Sequence, residues 1–145
     1  MRRMRWLLAL ILLVCGFAGA QTITVHLINA KNGKPIAGKN ITVDWPDLFD
    51  ESVAMTDKSG VARISVPKGQ AYFSLREGPR VGKEPNRVAY FDCNARDLTL
   101  VSVSEVMDRG FVPRNDCSKK TYSGIKPGEI VFYAELIPWW MPDMQ

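Results

Sequence analysis

Few side chains in this 145-residue chain are equipped for catalysis. His26 is the single histidine, which leaves one candidate imidazole base and excludes a metal site built from several histidines. It sits in the middle of an alternating apolar run, Ile23 to Ile28, where a histidine packs or faces solvent rather than reacts. No serine lies in a G-x-S-x-G setting, and neither a P-loop nor a dinucleotide-binding glycine motif occurs. Asp44, Asp47, Asp50, Glu51 and Asp57 form an acidic stretch, but their spacing does not match an EF-hand loop. A strand through them would point some carboxylates apart, so a solvated loop is expected and no metal or cofactor is implied. Asn40-Ile41-Thr42 matches a glycosylation acceptor at a strand start, which carries little weight.

Two features remain. Cys93 and Cys117 form an even pair, for which a disulfide is expected if the chain is exported; two buried free thiols are the alternative. The bridge would close a loop of about 24 residues and contribute about 3 kcal/mol. Trp139-Trp140 stands between Pro138 and Pro142. On an extended segment adjacent side chains face opposite sides, so at most one of the two can cap the core. The pair reads either as a hydrophobic lid on the open end of the fold or as a stacking platform for a glycan or protein, with Trp45 and Tyr133 as candidate companions.

The amino terminus bounds the compartment. Arg2, Arg3 and Arg5 precede an apolar run from Trp6 to Phe17, and Ala18-Gly19-Ala20 supplies a small-x-small cleavage pattern. The expectation is a signal peptide over residues 1–20 and one mature domain over residues 21–145, secreted, periplasmic or displayed at the cell surface. An uncleaved anchor is the alternative and the only expected link to a membrane. Lipidation of Cys15 would want a small residue where Val14 stands. The leader holds three arginines and no acid, so 19 basic against 15 acidic side chains becomes 16 against 15, a net charge of +1. That removes the basic surface a nucleic-acid partner requires.

The elements that would position these residues are strands. Ile23, Val25 and Leu27 alternate with Thr24, His26 and Ile28; Ile41, Val43 and Trp45 alternate with Thr42 and Asp44. Pro46 ends that strand. Further strands are expected at about Ser52–Thr56, Val61–Pro67 and Gln70–Arg76, where Ala71, Phe73 and Leu75 would face the core. A loop from Glu77 to Arg87 is expected to be exposed and mobile, followed by a strand over Arg87–Phe91. Ser102 and Glu105 have capping-box spacing and Gly110 can close a left-handed cap, so one helix is expected over Val103–Arg109. The last strand, Glu129–Ile137, is apolar on both faces and should be central. Seven to eight short strands with turn signals at about ten-residue intervals imply an all-β antiparallel sandwich, with the helix in its C-terminal half.

One stretch carries a family likeness. G-x-P-I-A-G-x-x-I-x-V from Gly33, then T-D-x-S-G-x-A-x-I-x-V-P-x-G from Thr56, resembles the carboxypeptidase-regulatory-like domain over about residues 22–75. The resemblance implies a small antiparallel β-sandwich of transthyretin-like topology that serves as an accessory or surface module. Hydroxyisourate hydrolases share such folds, but rely on several histidines and a C-terminal tetrapeptide beginning Tyr-Arg-Gly. This chain ends Pro142-Asp143-Met144-Gln145, so the resemblance carries over no catalytic residue. The leading expectation is a non-catalytic binding or interaction module with a protein or glycan partner. The alternatives are a small envelope hydrolase acting through carboxylates and a structural subunit that oligomerises through sheet edges.

Overall fold

The computed structural model describes residues 19–79 and 90–138. Its strands are β1 (Thr22–Asn29), β2 (Asn40–Trp45), β3 (Asp50–Met55), β4 (Val61–Ser65), β5 (Tyr72–Glu77), β6 (Tyr90–Asp92), β7 (Val101–Ser102) and β8 (Glu129–Leu136), with one helix, α1 (Val103–Arg109). They form two four-stranded sheets, ordered β4-β1-β8-β6 and β3-β2-β5-β7. The described residues therefore form an all-β sandwich, with a single short helix among them. Among the described residues no helix is long and apolar enough to cross a membrane.

The alternation read from sequence decides what lies between the layers. Ile23, Val25, Leu27, Ile130, Phe132 and Ala134 face Ile41, Val43, Phe73 and Leu75 in one continuous core. Period-two side chains put only half of each strand there. Ile28 of β1, Val131 and Tyr133 of β8, and Ala30 just beyond β1 form a second cluster on the outer face of the first sheet. It is covered by the segment 111–126, through Val112, Cys117, Tyr122 and Ile125. This strap explains why β8 is apolar on both sides.

Four expectations shift. β1 and β8 pair in parallel, Thr24 opposite Glu129 through Asn29 opposite Ala134, within otherwise antiparallel sheets. A parallel pair needs a long crossover and cover on both faces, and this one has both. β3 begins at Asp50 rather than Ser52, because Trp45 and Asp44 pair with Asp50 and Glu51. Ala71 is exposed and precedes β5, while Leu136 is exposed at the end of β8. Arg87 lies outside the described residues, as does the loop expected beyond Pro79; the strand there is described only from Tyr90.

The helix ends are placed as their caps require. The Ser102 hydroxyl accepts from the Glu105 amide at 3.3 Å, and Gly110 donates its amide to the Val106 carbonyl; at φ 76°, ψ 169° it has positive φ but lies outside the left-handed helical region expected of it. Glu105 does not complete the box; its carboxylate pairs with Arg109 one turn on. Gly60, at φ 75°, closes the turn between β3 and β4, where a Cβ would lie 2.7 Å from the Pro35 Cβ and 2.9 Å from the Ile36 amide nitrogen.

Tyr90 ties the layers together. It is fully buried, donates to the Asn40 carbonyl at 2.5 Å and accepts from the Gly78 amide at 3.3 Å. Burial pushes its phenol well above the ordinary tyrosine range. A raised folded-state pKa means that its contribution is complete below about pH 10 and is lost as pH rises further. The denaturant midpoint should therefore fall between about pH 9 and 11. Tyr90→Phe should lose about 1 kcal/mol at neutral pH, from the two hydrogen bonds, and show a shallower alkaline decline. Equal alkaline slopes in the two proteins would exclude Tyr90 as the titrating group.

Candidate functional site

The residues singled out from sequence do not converge. Trp45 is 3% exposed and packs on Phe73 inside the sandwich, with ring centroids 5.8 Å apart. Tyr133 is buried on the opposite side of the other sheet, under the strap, where its hydroxyl accepts from the Tyr122 amide at 2.5 Å. Burial raises its pKa against the opposing effect of that bond. Trp139 and Trp140 lie outside the described residues.

Several of the described ionisable groups are held in structural contacts. His26 stacks on Tyr122 with centroids 5.7 Å apart, and its Nε2 lies 3.4 Å from Glu129 Oε2. Arg76 gathers two members of the acidic stretch: its Nε meets Asp44 Oδ2 at 3.0 Å and its Nη2 meets Glu51 Oε2 at 2.5 Å. The Asp44 hydrogen bond is the main reason the guanidinium holds its proton more tightly than usual. Asp57 turns the other way and caps the β3–β4 turn, accepting from the Ser59 hydroxyl and from the Ser59 and Val61 amides. Those bonds, the Ser59 hydroxyl first, hold its carboxyl below the usual range. Among the described residues the one cluster of potential metal ligands is Cys93, Cys117 and Glu135, and both sulfurs are spent in a disulfide. Asn40 donates its side-chain amide to the Pro79 carbonyl at 3.0 Å, so the glycosylation motif is engaged in a loop contact.

The bridge Cys93–Cys117 joins the end of β6 to the strap, with Cα atoms 5.4 Å apart. Asn115 and Ser118 donate side-chain bonds to the Ala30 carbonyl at 2.9 and 2.5 Å. An open cavity of about 400 Å³ lies beside them, with Ile28, Ala30, Tyr122 and Tyr133 as apolar lining and Asn29 and Lys120 among its polar groups.

The surface feature that sequence reading passed over lies after β2. Pro46–Leu48 makes a single 3-10 turn, and Phe49 follows at φ 50°, ψ 38°, its amide bonded to the Pro46 carbonyl. Phe49 is 99% exposed. Leu48 beside it and Val53 and Met55 on β3 are exposed too. The available signal was two large apolar residues inside a loop otherwise composed of acids.

Protein-family models, curated proteins and solved structures were all compared with this chain, and none matches it.

Proposed function

We propose that this chain is an exported, non-catalytic interaction module that meets a protein partner through the Leu48–Phe49 tip. The observation that carries the reading is Phe49. A non-glycine residue in the left-handed region costs on the order of 1 kcal/mol, and this one buries nothing in return. Asparagine or glycine would serve the fold better there. A wholly exposed phenyl ring at a strained position is accounted for by contact with something outside the chain. The leader-like amino terminus and the disulfide support export. The likeness to regulatory-type β-sandwich domains agrees with an accessory role.

Phe49→Asn should keep or slightly raise the melting temperature while abolishing binding. A photoreactive phenylalanine analogue at position 49, expressed in the native host, should yield one discrete protein adduct. The same analogue at Leu100, a large apolar residue that is also exposed, should yield none. Adducts independent of position, or binding that survives Phe49→Asn, would overturn the reading; retention on a glycan array lost in Phe49→Asn would reassign the tip to sugar.

A further inference from the structure

We infer that β3 pairs antiparallel with β3 of a second copy of this chain, with Val53 on the two-fold axis, so that two sandwiches share one eight-stranded sheet. This goes beyond the reading above and does not rest on Phe49. It rests on which main-chain groups the edge leaves open.

The hydrogen-bond alternation is fixed at both sides of β2. Asn40 accepts from Gly78 on the β5 side, and Lys39 accepts from Thr56 on the β3 side. Odd-numbered residues of β2 therefore bond toward β3, where Ile41, Val43 and Trp45 stand opposite Ala54, Ser52 and Asp50. The N–H and C=O groups of Glu51, Val53 and Met55 consequently point away from the sheet. The ladder with β2 is continuous over six residues, without a bulge. β3 contains neither proline nor lysine, the usual protections of an edge. Among the described residues the other edges are guarded or short: β4 carries Arg63 and runs into Pro67, β6 has three residues and β7 has two.

Self-pairing has one favoured register. With Val53 opposite Val53 of the partner, Glu51 faces the partner's Met55 and Met55 faces its Glu51. All three outward residues then pair, making six main-chain hydrogen bonds. A slip of two residues in the sum of paired positions leaves four such bonds within the strand. Centring on Glu51 instead sets like charges directly opposite each other. In the Val53 register the two Glu51 positions are offset by four residues, roughly 13 Å at about 3.3 Å per residue, beyond the screening length of about 8 Å. Arg76 also draws the Glu51 carboxylate back over its own sheet. Val53 and Met55, 53% and 60% exposed, come together with their counterparts on one continuous outer face.

Cysteine cross-linking of the otherwise native mature chain tests the register. Paired residues in this geometry have Cα atoms about 5.5 Å apart, within disulfide reach. Under mild oxidation Val53→Cys should form a covalent dimer with itself. Met55→Cys should not, but should link to Glu51→Cys when the two are mixed. Val53→Pro removes only an outward N–H, so it should keep the thermal transition and sediment as a monomer where the unaltered chain sediments as a dimer. An unaltered chain that is monomeric at every concentration up to its solubility limit, or equal cross-linking of Met55→Cys and Val53→Cys, would overturn the pairing. The adduct from position 49 should persist in Val53→Pro, so each idea can fail without the other.

Discussion

Replacing Cys93 and Cys117 together by alanine is expected to lower stability by about 3 kcal/mol, the chain-entropy value for a loop of this size, the two cysteines being 24 positions apart. For a domain of this length that corresponds to a fall in melting temperature of roughly 10 °C. The loss should also be uneven. The strap 111–126 rests on the outer cluster of Ile28, Val131 and Tyr133, while the inner core of the sandwich does not touch the bridge. Without the bridge the strap is held by Asn115 and Ser118 on Ala30, by the Arg114 amide on Asp97 and by Tyr122 on Tyr133. Native-state hydrogen exchange should then show the Tyr122 amide losing protection first, while Val25 and Phe132 keep theirs. Uniform loss across both clusters would mean that strap and sandwich unfold as one unit, and the strap would not be a separable cover. Alkylation of the unreduced protein should find no free thiol at either position.

What the sequence made legible follows from how far each signal reaches along the chain. Alternation over Ile23–Ile28, Ile41–Trp45 and Ile130–Leu136 is local and strong, and it placed the inner core because a strand offers only two faces. The helix was legible to the residue because Ser102 and Gly110 satisfy its ends with atoms a few positions away. Partnership was not legible in the same way. Whether β8 runs parallel or antiparallel to β1 depends on the route taken by the strap, which has no strand or helix period of its own. Its adhesion comes from single long-range bonds such as Asn115 to Ala30, 85 residues apart. Trp45 and Tyr133 looked alike as aromatic candidates, yet they point into different clusters because Trp45 lies on the inner face of its strand and Tyr133 on the outer face of β8. Phe49 was missed for a related reason: its exposure is set by a left-handed turn after Pro46, and no periodicity marks a residue that belongs to neither face. The acidic stretch was read as one group, whereas Arg76, some 25 residues further on, divides it by capturing Asp44 and Glu51 and leaving Asp57 to its turn.

Asn94→Asp should be among the most damaging single-atom exchanges in the molecule. β6 stops at Asp92, and beyond it the side chain of Asn94 does the work of a further strand residue. Its Oδ1 accepts from the Tyr133 amide at 2.7 Å, and its Nδ2 donates to the Tyr133 carbonyl at 2.9 Å and to Asp92 Oδ1 at 2.5 Å. The residue is fully buried. An aspartate keeps the acceptor but turns the donor into a second oxygen facing a carbonyl and a carboxylate. A buried charge whose second oxygen has no donor and faces two acceptors is expected to cost about 3 kcal/mol or more at neutral pH. The introduced carboxyl would hold its proton above the ordinary value of about 3.9, so the deficit should shrink as pH falls toward 4 and grow again as pH rises. Asn94→Ala, which leaves the Tyr133 amide without its partner and a small void, should cost about 1–3 kcal/mol with no such pH dependence. Urea unfolding of both variants at pH 7 and pH 5 separates the two effects. If Asn94→Asp loses under 1 kcal/mol, or loses the same amount at both pH values, the amide is not bridging β6 to β8.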